Sequence, residues 1–420
     1  MARKMRDSGV EWIGEVPEGW EMKYLSQSVS QVKNRNDGLK EKNLLSLSYG
    51  KIKRKDIDSI GGLLPASFEG YNIIAPNDIV LRLTDLQNDQ HSLRVGLSHE
   101  NGIVTSAYTT IRPCDRINAV YLFYSLFVFD IAKGFYGMGA GVRQGLNYDE
   151  VKQIKLLSPP LPEQRRIADY LDEKCAAIDG AVDELKRGIE DCKAWKKAII
   201  FEAVTGKRKI GFNAEKQRGR VAERPMRDSG IPWIGEIPEG WGMECVKHLF
   251  SIGRGRVIAA TEVEQEGYPV YSSQTKNNGL LGYISSYDYD RNQLTWTTDG
   301  ANAGTVFLRE GKHNCTNVCG TLMPRDDSFS LRFVCYSLGY VTQYERRSDI
   351  NGFKIMSNEM AHIKFPLPPL PEQQAIADFL DEKCAAIDAL VAEKEKLIAD
   401  LEAYKKSLIF ELVTGKREVA

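Results

Sequence analysis

Residues 159–179 read PPLPEQRRIADYLDEKCAAID and residues 368–388 read PPLPEQQAIADFLDEKCAAID, with 18 of 21 positions identical at an offset of 209. A second pair of matching segments lies upstream of these two. Residues 5–22 read MRDSGVEWIGEVPEGWEM, residues 226–243 read MRDSGIPWIGEIPEGWGM, and 14 of 18 positions agree at an offset of 221. Matches of this length do not arise by chance, so the chain contains an internal repeat of one unit.

Each copy of the PPLPEQ segment is predicted to begin a long helix, and each helix is predicted to end at a repeated VTGKR motif, at 204–208 and 413–417. Proline suits the first turn of a helix, and the helix dipole favours an acidic residue there, which is Glu163 or Glu372. The glycine of VTGKR is predicted to form a left-handed cap. Each helix would be about 65 Å long at about 1.5 Å per residue.

An apolar seam follows both helices, with spacings that alternate between four and three residues, as in a coiled coil. A lone helix with such a seam is unstable in water, so we expect the two copies to pack antiparallel around a pseudo-two-fold axis. Lys196 and Lys405 interrupt the seams, and Lys394 stands where the first copy has Leu185. The predicted seam comprises Leu171, Cys175, Ile178, Val182, Leu185, Ile189, Cys192 and Ile199 in the first copy, and Leu380, Cys384, Ile387, Val391, Ile398, Leu401 and Leu408 in the second.

This pairing predicts where the repeated leaders, residues 5–22 and 226–243, should lie. The globular regions would stand at opposite ends of a rod, and residues 5–22 would lie beside the end of the second helix. The leader tryptophans are expected to pack in these junctions rather than to stack on a ligand: Trp12, Trp20, Trp233 and Trp241.

The interior between the matched segments has diverged, roughly over 23–155 and 244–364, and the second copy is 12 residues shorter. Neutral drift of a tolerant interior is one explanation. The alternative that we favour is two different recognition domains carried on one frame, because a merely tolerant interior needs no nearly identical frame around it.

Both interiors combine short β-rich runs, dense turn residues and a helical stretch. The predicted strands include 79–83 and 104–111 in the first copy and 294–297 and 304–308 in the second. The predicted helices are 119–132 and 331–346. The expected fold class is α+β, with two mixed α/β domains, each having a twisted and mostly antiparallel sheet, and an antiparallel coiled coil of two long helices between them.

Several loops of these interiors are rich in hydrogen-bond donors. Arginine and lysine can bind guanine edges, asparagine and glutamine can bind adenine edges, and the remaining cations can hold phosphates. Each residue taken alone is more often a solvated surface side chain. The candidate DNA contacts are Lys51, Lys53, Arg54, Lys55, Arg143, Gln144, Arg254, Arg256, Gln274, Lys276, Asn277, Asn278, Arg346, Arg347 and Lys354.

The charge distribution permits nucleic-acid binding without demonstrating it. The formal net charge is −1, but the two helical segments 162–204 and 371–413 together carry −7, which leaves +6 for the rest. Residues 207–225 hold seven basic and two acidic residues, and we interpret them as a solvated connector, with phosphate contact as the alternative.

Composition also suggests a cellular compartment. The eight cysteines show no framework spacing, no apolar run approaches the roughly 20 residues of a membrane helix, and a secretory signal is not expected. We therefore expect a cytoplasmic protein with reduced thiols. The group His313, Cys315 and Cys319 invites a zinc site, but no second ligand pair is nearby, so buried small side chains are the favoured interpretation.

The sequence contains no motif for catalysis. VTGKR does not match the GxxxxGK[ST] phosphate loop, and five histidines form no triad or metal pair. The two Pro-Pro dipeptides, at 159–160 and 368–369, lack the acidic or amide residue before them and the aromatic residue after them that amino-methyltransferases share. We therefore expect no active site in this chain.

The duplicated DSGVEWIGEVPEGW and DSGIPWIGEIPEGW leaders, the duplicated PLPEQ-x-x-IAD-x-LD helix starts and the VTGKR ends resemble the specificity subunits of type I restriction-modification systems. The resemblance covers essentially the whole chain, including two variable target-recognition domains that alternate with two helical regions. It implies a DNA-binding, non-catalytic subunit of a restriction system that directs DNA methylation.

The resemblance also implies partners and a type of target. Two modification (methyltransferase) subunits would bind the helical frame and hold S-adenosylmethionine, and restriction (endonuclease and translocase) subunits using ATP and Mg²⁺ would join them. This chain itself would hold no cofactor or metal and contact no membrane. The double-stranded DNA site would be bipartite and asymmetric with a fixed spacer, because diverged domains read different half-sites and the rod length sets their separation.

The expected domains follow from the repeat. They are a first target-recognition domain with its leader at 1–157, a central helix at 158–206, a basic linker at 207–225, a second target-recognition domain with its leader at 226–366, and a C-terminal helix at 367–420. A coiled-coil scaffold without a nucleic-acid role remains the competing interpretation, which the duplicated seam supports and the donor-rich loops do not. A stand-alone nuclease has no supporting site.

Overall fold

The computed structural model describes residues 3–56, 67–86, 89, 93–138, 145–210, 224–350 and 352–419. Helices and short strands form two compact units, the first made of Met1–Leu185 with Lys396–Ala420 and the second of Lys186–Glu395. The two long helices therefore each contribute residues to both units, as the fold class expected from the repeat requires.

The first unit contains twelve described strands and two short helices ahead of the first long helix. These elements are β1 (Met5–Asp7), β2 (Glu15–Pro17), β3 (Glu21–Tyr24), β4 (Val29–Gln31), β5 (Leu45–Ser48), β6 (Lys51–Arg54), β7 (Asn72–Ile74), β8 (Ile79–Leu81), β9 (Val95–Leu97), β10 (Gly102–Val104), β11 (Thr109–Pro113), α1 (Ala119–Ile131), α2 (Tyr148–Val151), β12 (Lys155–Ser158) and α3 (Leu161–Val204).

The second unit repeats this order with additional strands. Its described elements are β13 (Met226–Asp228), β14 (Glu236–Pro238), β15 (Gly242–Cys245), α4 (Val246–Leu249), β16 (Phe250–Arg254), β17 (Tyr268–Tyr271), β18 (Leu280–Ile284), β19 (Gln293–Thr297), β20 (Asp299–Gly300), β21 (Val306–Arg309), β22 (Asn314–Cys315), β23 (Cys319–Pro324), α5 (Leu331–Glu345), β24 (Arg347–Asp349), β25 (Gly352–Lys354), α6 (Ser357–His362), β26 (Lys364–Leu367) and α7 (Leu370–Val413).

One four-stranded antiparallel sheet recurs in both units. The strand order is β4-β11-β8-β9 in the first unit and β16-β23-β19-β21 in the second. The registers also correspond, because Ile111 lies opposite Ile79 and Leu322 lies opposite Leu294. All four of these side chains are buried, so the same sheet position supplies the core in each copy.

The units differ in the strands added around this sheet. The first unit pairs β5 with β6 and β7 with β10, and the second forms two three-stranded sheets, β18-β17-β22 and β20-β25-β24. Among the described pairs of strands, β17 with β22 is the parallel one, and two isolated bridges are also parallel, so the sheets are mostly antiparallel, as predicted.

The prediction of one continuous strand at 104–111 is wrong. Strand β10 ends at Val104 and pairs with β7, whereas β11 begins at Thr109 and belongs to the four-stranded sheet. A turn closed by the Tyr108 amide donating to the Thr105 carbonyl (3.1 Å) separates them. The β-rich composition of this run could not show that its two ends belong to different sheets.

Each globular region is joined to its long helix by the same side chains. The Gln164 side chain accepts from the amide of Asn118, the residue that caps α1, and donates to the Pro159 carbonyl, both at 2.8 Å. Gln373 makes the equivalent bonds to Ser330 and Pro368, also at 2.8 Å. Both glutamines are buried, so these amides fix the start of the helix against α1 or α5.

The leaders pack against the helix ends as the repeat predicted. In the first unit Lys416 Nζ donates to the Ile13 carbonyl at 2.6 Å. Gly415 has φ +70°, and a Cβ on it would lie 2.5 Å from Pro17. In the second unit Gly206 has φ +71° and would bring a Cβ within 2.5 Å of Pro238. The predicted left-handed caps are therefore confirmed, and the leader closes tightly over each one.

Within each unit, parts of the two long helices run antiparallel. In the first unit the single proton of Tyr121 Oη is shared between the carbonyls of Leu157 (3.2 Å) and Val413 (3.3 Å), which places the start of α3 beside the end of α7. Further along α3, Asp179 pairs with Lys405 of α7 at 2.6 Å. In the second unit Lys196 of α3 pairs with Asp388 of α7, also at 2.6 Å.

Candidate functional site

The predicted seam residues lie on the inner faces of the long helices to different depths. In the first helix seven of the eight predicted positions are buried and Leu185 is half-buried. In the second, four of the seven are buried, while Val391, Ile398 and Leu401 are half-buried. The buried positions are Leu171, Cys175, Ile178, Val182, Ile189, Cys192, Ile199, Leu380, Cys384, Ile387 and Leu408.

The lysines that interrupt the seam have carboxylate partners. Asp179 pairs with Lys405 at 2.6 Å and with Lys51 of β6 at 2.9 Å. Burial opposes ionisation of Asp179, but hydrogen bonds and charge interactions with the two lysines outweigh it and hold the carboxyl pKa below its usual value. Where Lys405 interrupts the apolar seam, the two helices are therefore joined by an ion pair instead of an apolar contact.

A glutamate–tryptophan–arginine contact secures each leader to its helix. Glu163 accepts from Trp20 Nε1 at 3.1 Å and pairs with Arg3 at 2.7 Å. In the second copy, Trp241 donates to Glu372 at 3.0 Å, and Arg224 pairs with that same carboxylate at 2.6 Å. The acidic residue that the sequence assigned to the helix dipole thus also anchors the leader.

The leader tryptophans pack in the junctions, as expected. Trp20 and Trp241 are fully buried. Trp12 lies edge-on to Phe129 with ring centroids 6.1 Å apart, and Trp233 stacks on Tyr344 at 4.4 Å.

Strand β6 and the residue after it carry four cations, of which two have carboxylate partners and two do not. Lys51 contacts Asp179, and Arg54 donates to Glu100 at 2.7 Å, which raises the pKa of the guanidinium and lowers that of the carboxyl. Lys53 and Lys55 are exposed, and neither pairs with a carboxylate of the described chain. Within 51–55, Lys53 and Lys55 are therefore the cations available to an external anion.

Two of the candidate loops fall wholly or partly where the structure is not described. Arg143 and Gln144 lie outside the described residues, and so does most of the predicted basic linker. At the described start of that linker, Lys207 donates to the Ile234 carbonyl at 2.7 Å and lies 4.2 Å from the centre of the Phe201 ring. Lys207 is thereby bound to the second leader.

The arginines at the end of β16 and just after it are engaged within the protein. Arg254 donates to the carbonyl of Asn317. Arg256 pairs with Asp288 at 3.0 Å and with Glu262 at 3.5 Å.

The cations around the β24–β25 hairpin have internal partners as well. Arg347 pairs with Glu359 at 2.7 Å, and Lys354 pairs with Asp349 at 2.9 Å. The Lys354 hydrogen bond is the main cause of the lowered pKa of Asp349. The Arg346 guanidinium lies 3.9 Å from the centre of the Phe353 ring.

The loop between β17 and β18 presents a different arrangement. Gln274 folds back to donate to the Leu280 carbonyl. Lys276, Asn277 and Asn278 are exposed, and their side chains make no hydrogen bond or ion pair to another described residue. Their donors and acceptors are free to meet an external group.

Sequence reasoning missed Arg309, which lies beneath this loop. Its side chain is 1% exposed, and it donates from Nε to Thr295 Oγ1 at 3.0 Å and from Nη1 to the Asn278 carbonyl at 2.6 Å. Burial lowers its pKa. A single arginine at the end of the strand VFLR carries no pattern that separates it from surface arginines, so no local signal could have identified it.

The His313 group is a neutral buried cluster. His313 Nδ1 donates to the Gly311 carbonyl at 2.8 Å, and Nε2 accepts from Gln293 at 2.8 Å, which uses both ring nitrogens. Burial lowers the pKa of His313 and raises the pKa of Cys315 and Cys319. Across the described ranges, no histidine, cysteine or acidic group is arranged to hold a metal ion. Likewise, no helix in the described chain is both long and apolar enough to cross a membrane.

Known proteins with related sequences point to one family. A family model described as the type I restriction modification DNA specificity domain matches residues 238–400. A putative type I specificity subunit (N-terminus) of Mycoplasma pneumoniae is 38% identical over 32% of this chain and 74% of its own length. The chain spans 53% and 45% of two further putative specificity subunits of that organism, each at 34% identity.

Two comparisons extend over nearly the whole chain. A putative type I restriction enzyme MjaX specificity subunit of Methanocaldococcus jannaschii is 26% identical over 97% of this chain and 96% of its own length. A chain from a solved structure concerning assembly and conformational transition of the type I R-M system matches with a TM-score of 0.67 at 16% identity, covering 96% of this chain and 99% of that one. The structural likeness supports the fold, and the sequence matches establish that this chain belongs to the family of type I restriction-modification specificity subunits.

Proposed function

We propose that the chain is the DNA sequence-specificity subunit of a type I restriction-modification complex and is non-catalytic by itself. Each globular region, 1–157 or 226–366, reads one half of an asymmetric bipartite DNA site. The paired helices set the spacer and dock two modification subunits, which hold S-adenosylmethionine. Restriction subunits that use ATP and Mg²⁺ join this core.

One observation carries the proposal: the frame is repeated closely while the donor-bearing loops are not. The Trp20–Glu163 contact and the Trp241–Glu372 contact agree to within 0.1 Å. In contrast, exposed Lys53 and Lys55 lie on a strand and just after it in the first copy, whereas exposed Lys276, Asn277 and Asn278 lie on a loop in the second. An identical frame with different donors fits two recognition domains that read different half-sites.

The free cations also fit the electrostatic part of DNA binding. Each phosphate neutralised by a lysine or arginine releases counterions, so affinity falls steeply with salt. Lys53, Lys55 and Lys276 have no carboxylate partner in the described chain, so they need not break an ion pair before they bind a phosphate.

A domain exchange tests the proposal. Residues 23–155 are replaced with the corresponding region of another specificity subunit, and the chain is purified with its cognate modification subunits. We expect one half-site of the methylated sequence to change while the other half-site and the spacer stay the same. Changes in both half-sites, or methylation by the chain without modification subunits, would contradict it.

A further inference from the structure

Arg309 is a buried cation without a counter-ion. It is 1% exposed, and across the described chain no carboxylate pairs with it. Its guanidinium lies 3.7 Å from the centre of the Tyr271 ring and 4.4 Å from that of Phe307. Removing a guanidinium from water is costly unless its surroundings replace the lost hydration, and these two rings do so only in part. The position is therefore unfavourable for core stability alone.

The hydrogen bonds of Arg309 are directed at a loop rather than at an acid. Nη1 donates to the Asn278 carbonyl at 2.6 Å, while Nη2 is buried and has no partner among the described residues. The sheet supplies the fixed side of the contact, because Nε donates to Thr295 Oγ1 of β19 at 3.0 Å. Arg309 thus ties the loop to the centre of the four-stranded sheet.

The loop that it holds has an unusual backbone. Asn277 (φ 50°, ψ 40°), Asn278 (φ 52°, ψ 31°) and Gly279 (φ 78°) are three successive left-handed residues. Side chains rarely adopt this region, although asparagine tolerates it better than most residues. A Cβ at position 279 would lie 2.9 Å from Arg309 Nη2, so glycine allows the close approach of the loop to the guanidinium.

The side chains presented by this backbone are unused within the protein. Asn277 and Asn278 are exposed and bond to no other described side chain. An amide carries a donor and an acceptor side by side, which matches the N6 and N7 positions of adenine in the major groove. Backbone strain in a loop whose side-chain amides have no partner is typical of a segment that is preorganised for binding.

The first globular region has no arginine at the matching position, and its own buried arginine, Arg94, lies before β9 and donates to the Thr84 carbonyl at 2.7 Å. The sheet registers place Ser98 where the second copy has Arg309, because Leu97 lies opposite Ile79 and Leu308 lies opposite Leu294. The Ser98 hydroxyl donates to the Glu100 carbonyl at 2.8 Å within its own turn. The buried arginine therefore belongs to the divergent part of the molecule and not to the repeated frame.

We propose that residues 274–279 form a base-reading loop for the second half-site, that Asn277 and Asn278 read an A·T base pair, and that Arg309 is the residue that positions the loop. The inference rests on the proposed DNA-specificity function. It assigns Arg309 an indirect role, because a side chain that is 1% exposed does not itself reach DNA.

The test uses the full chain in complex with its cognate modification subunits, and the methylated sequence is read from randomised DNA duplexes. Arg309→Met keeps an unbranched side chain of similar length and removes the charge. The substitution removes a buried cation without a counter-ion, together with the desolvation cost of that cation, so we expect no loss of Tm. We expect discrimination at one A·T position of the second half-site to fall roughly tenfold to a hundredfold, with the first half-site unchanged.

Two further measurements separate positioning from general stability. Amide hydrogen exchange at 272–280 is expected to rise in Arg309→Met, while exchange in β19 and β23 stays at the wild-type level. The double variant N277A/N278A is expected to relax the same A·T position without changing exchange in the sheet. Arg325→Met is the matched control: within the described chain the side chain of this exposed arginine donates only to the Lys247 carbonyl, at 3.4 Å, and we expect the wild-type sequence preference.

The outcomes are distinct. A wild-type complex that shows no bipartite sequence preference would overturn the proposed function itself. A wild-type bipartite site that N277A/N278A reads unchanged would overturn the loop assignment alone. If Arg309→Met fails to fold, N277A/N278A still decides whether the loop reads bases. A change in the first half-site for any of these variants would also contradict the inference.

Discussion

Asp179 on the first long helix forms an ion pair with Lys405 on the second at 2.6 Å. The equivalent residues of the other repeat, Asp388 and Lys196, form an ion pair at the same distance. The lysines interrupt two apolar seams, and each faces a carboxylate that the repeat places on the other helix. Because the pair occurs once in each unit, it fixes the register of the helices in the same way in both.

Replacing Lys405 with methionine is expected to lower the free energy of unfolding by about 1 kcal/mol or less, because the ion pair is partly exposed. A double-mutant cycle with Asp179→Asn, measured by guanidinium unfolding, should give a coupling of similar size. Lys406→Met is the control, since the exposed Lys406 has no carboxylate partner in the described chain. A coupling of zero would show that the pair does not contribute to helix register.

The Asp179 pair also predicts a pH dependence. The pKa of Asp179 is lowered in the folded chain, so its ionised form stabilises the fold above the unfolded-state pKa of about 3.9. This stabilisation is lost as the pH falls through the lower, folded-state pKa. The difference in unfolding midpoint between the wild type and Asp179→Asn should therefore be constant above about pH 5 and vanish at lower pH. A difference that grows on acidification would contradict the assignment.

The glycine caps give a prediction with a built-in control. Gly206→Ala and Gly415→Ala place a Cβ 2.5 Å from a leader proline at φ near +70°, so each should cost at least about 1–2 kcal/mol of folding free energy. Gly180→Ala is the control, because Gly180 lies inside a helix with no atom within 4 Å of a new Cβ. That substitution should be neutral or stabilising by up to about 1 kcal/mol. Thermal unfolding of the three variants checks both signs.

Much of the frame could be predicted from the sequence because two copies of it are present in one chain. The helix starts, the glycine caps and the packing of the leaders against the helix ends all follow from matching 159–179 with 368–388 and 5–22 with 226–243. The sequence pattern that predicts a helix is local. The duplication adds the long-range information from which the pairing of the two helices could be predicted.

From the sequence, the candidate DNA-contacting residues could be chosen only by their residue type. Arg256, Arg347 and Lys354 are as basic in sequence as Lys53 and Lys55, yet each has a carboxylate partner in the folded chain. Asp288 and Glu359 lie 32 and 12 residues away in sequence, and Asp349 comes close only because β24 and β25 form a hairpin, so composition does not encode these contacts. Arg309 was missed for the same reason, since its burial depends on the pairing of β19 with β21.

A further prediction concerns the two long helices and the length of the DNA spacer. Deleting residues 183–189 and the equivalent 392–398 removes one heptad from each helix and keeps the seam in register. A heptad is about 10 Å of helix, which corresponds to about three base pairs of DNA. We expect the complex to read the same two half-sites with a shorter spacer, or to lose recognition, as determined by sequencing of methylated DNA. Altered half-site bases would contradict a spacer role for the helices.

The central claim, that one chain reads two different half-sites, is tested most directly by mapping methylated bases across the genome of the host, with and without this chain. The account predicts one asymmetric bipartite sequence with a spacer of fixed length, whose methylation disappears when the chain is removed. A palindromic or uninterrupted methylated sequence, or a bipartite sequence that stays methylated without the chain, would contradict it.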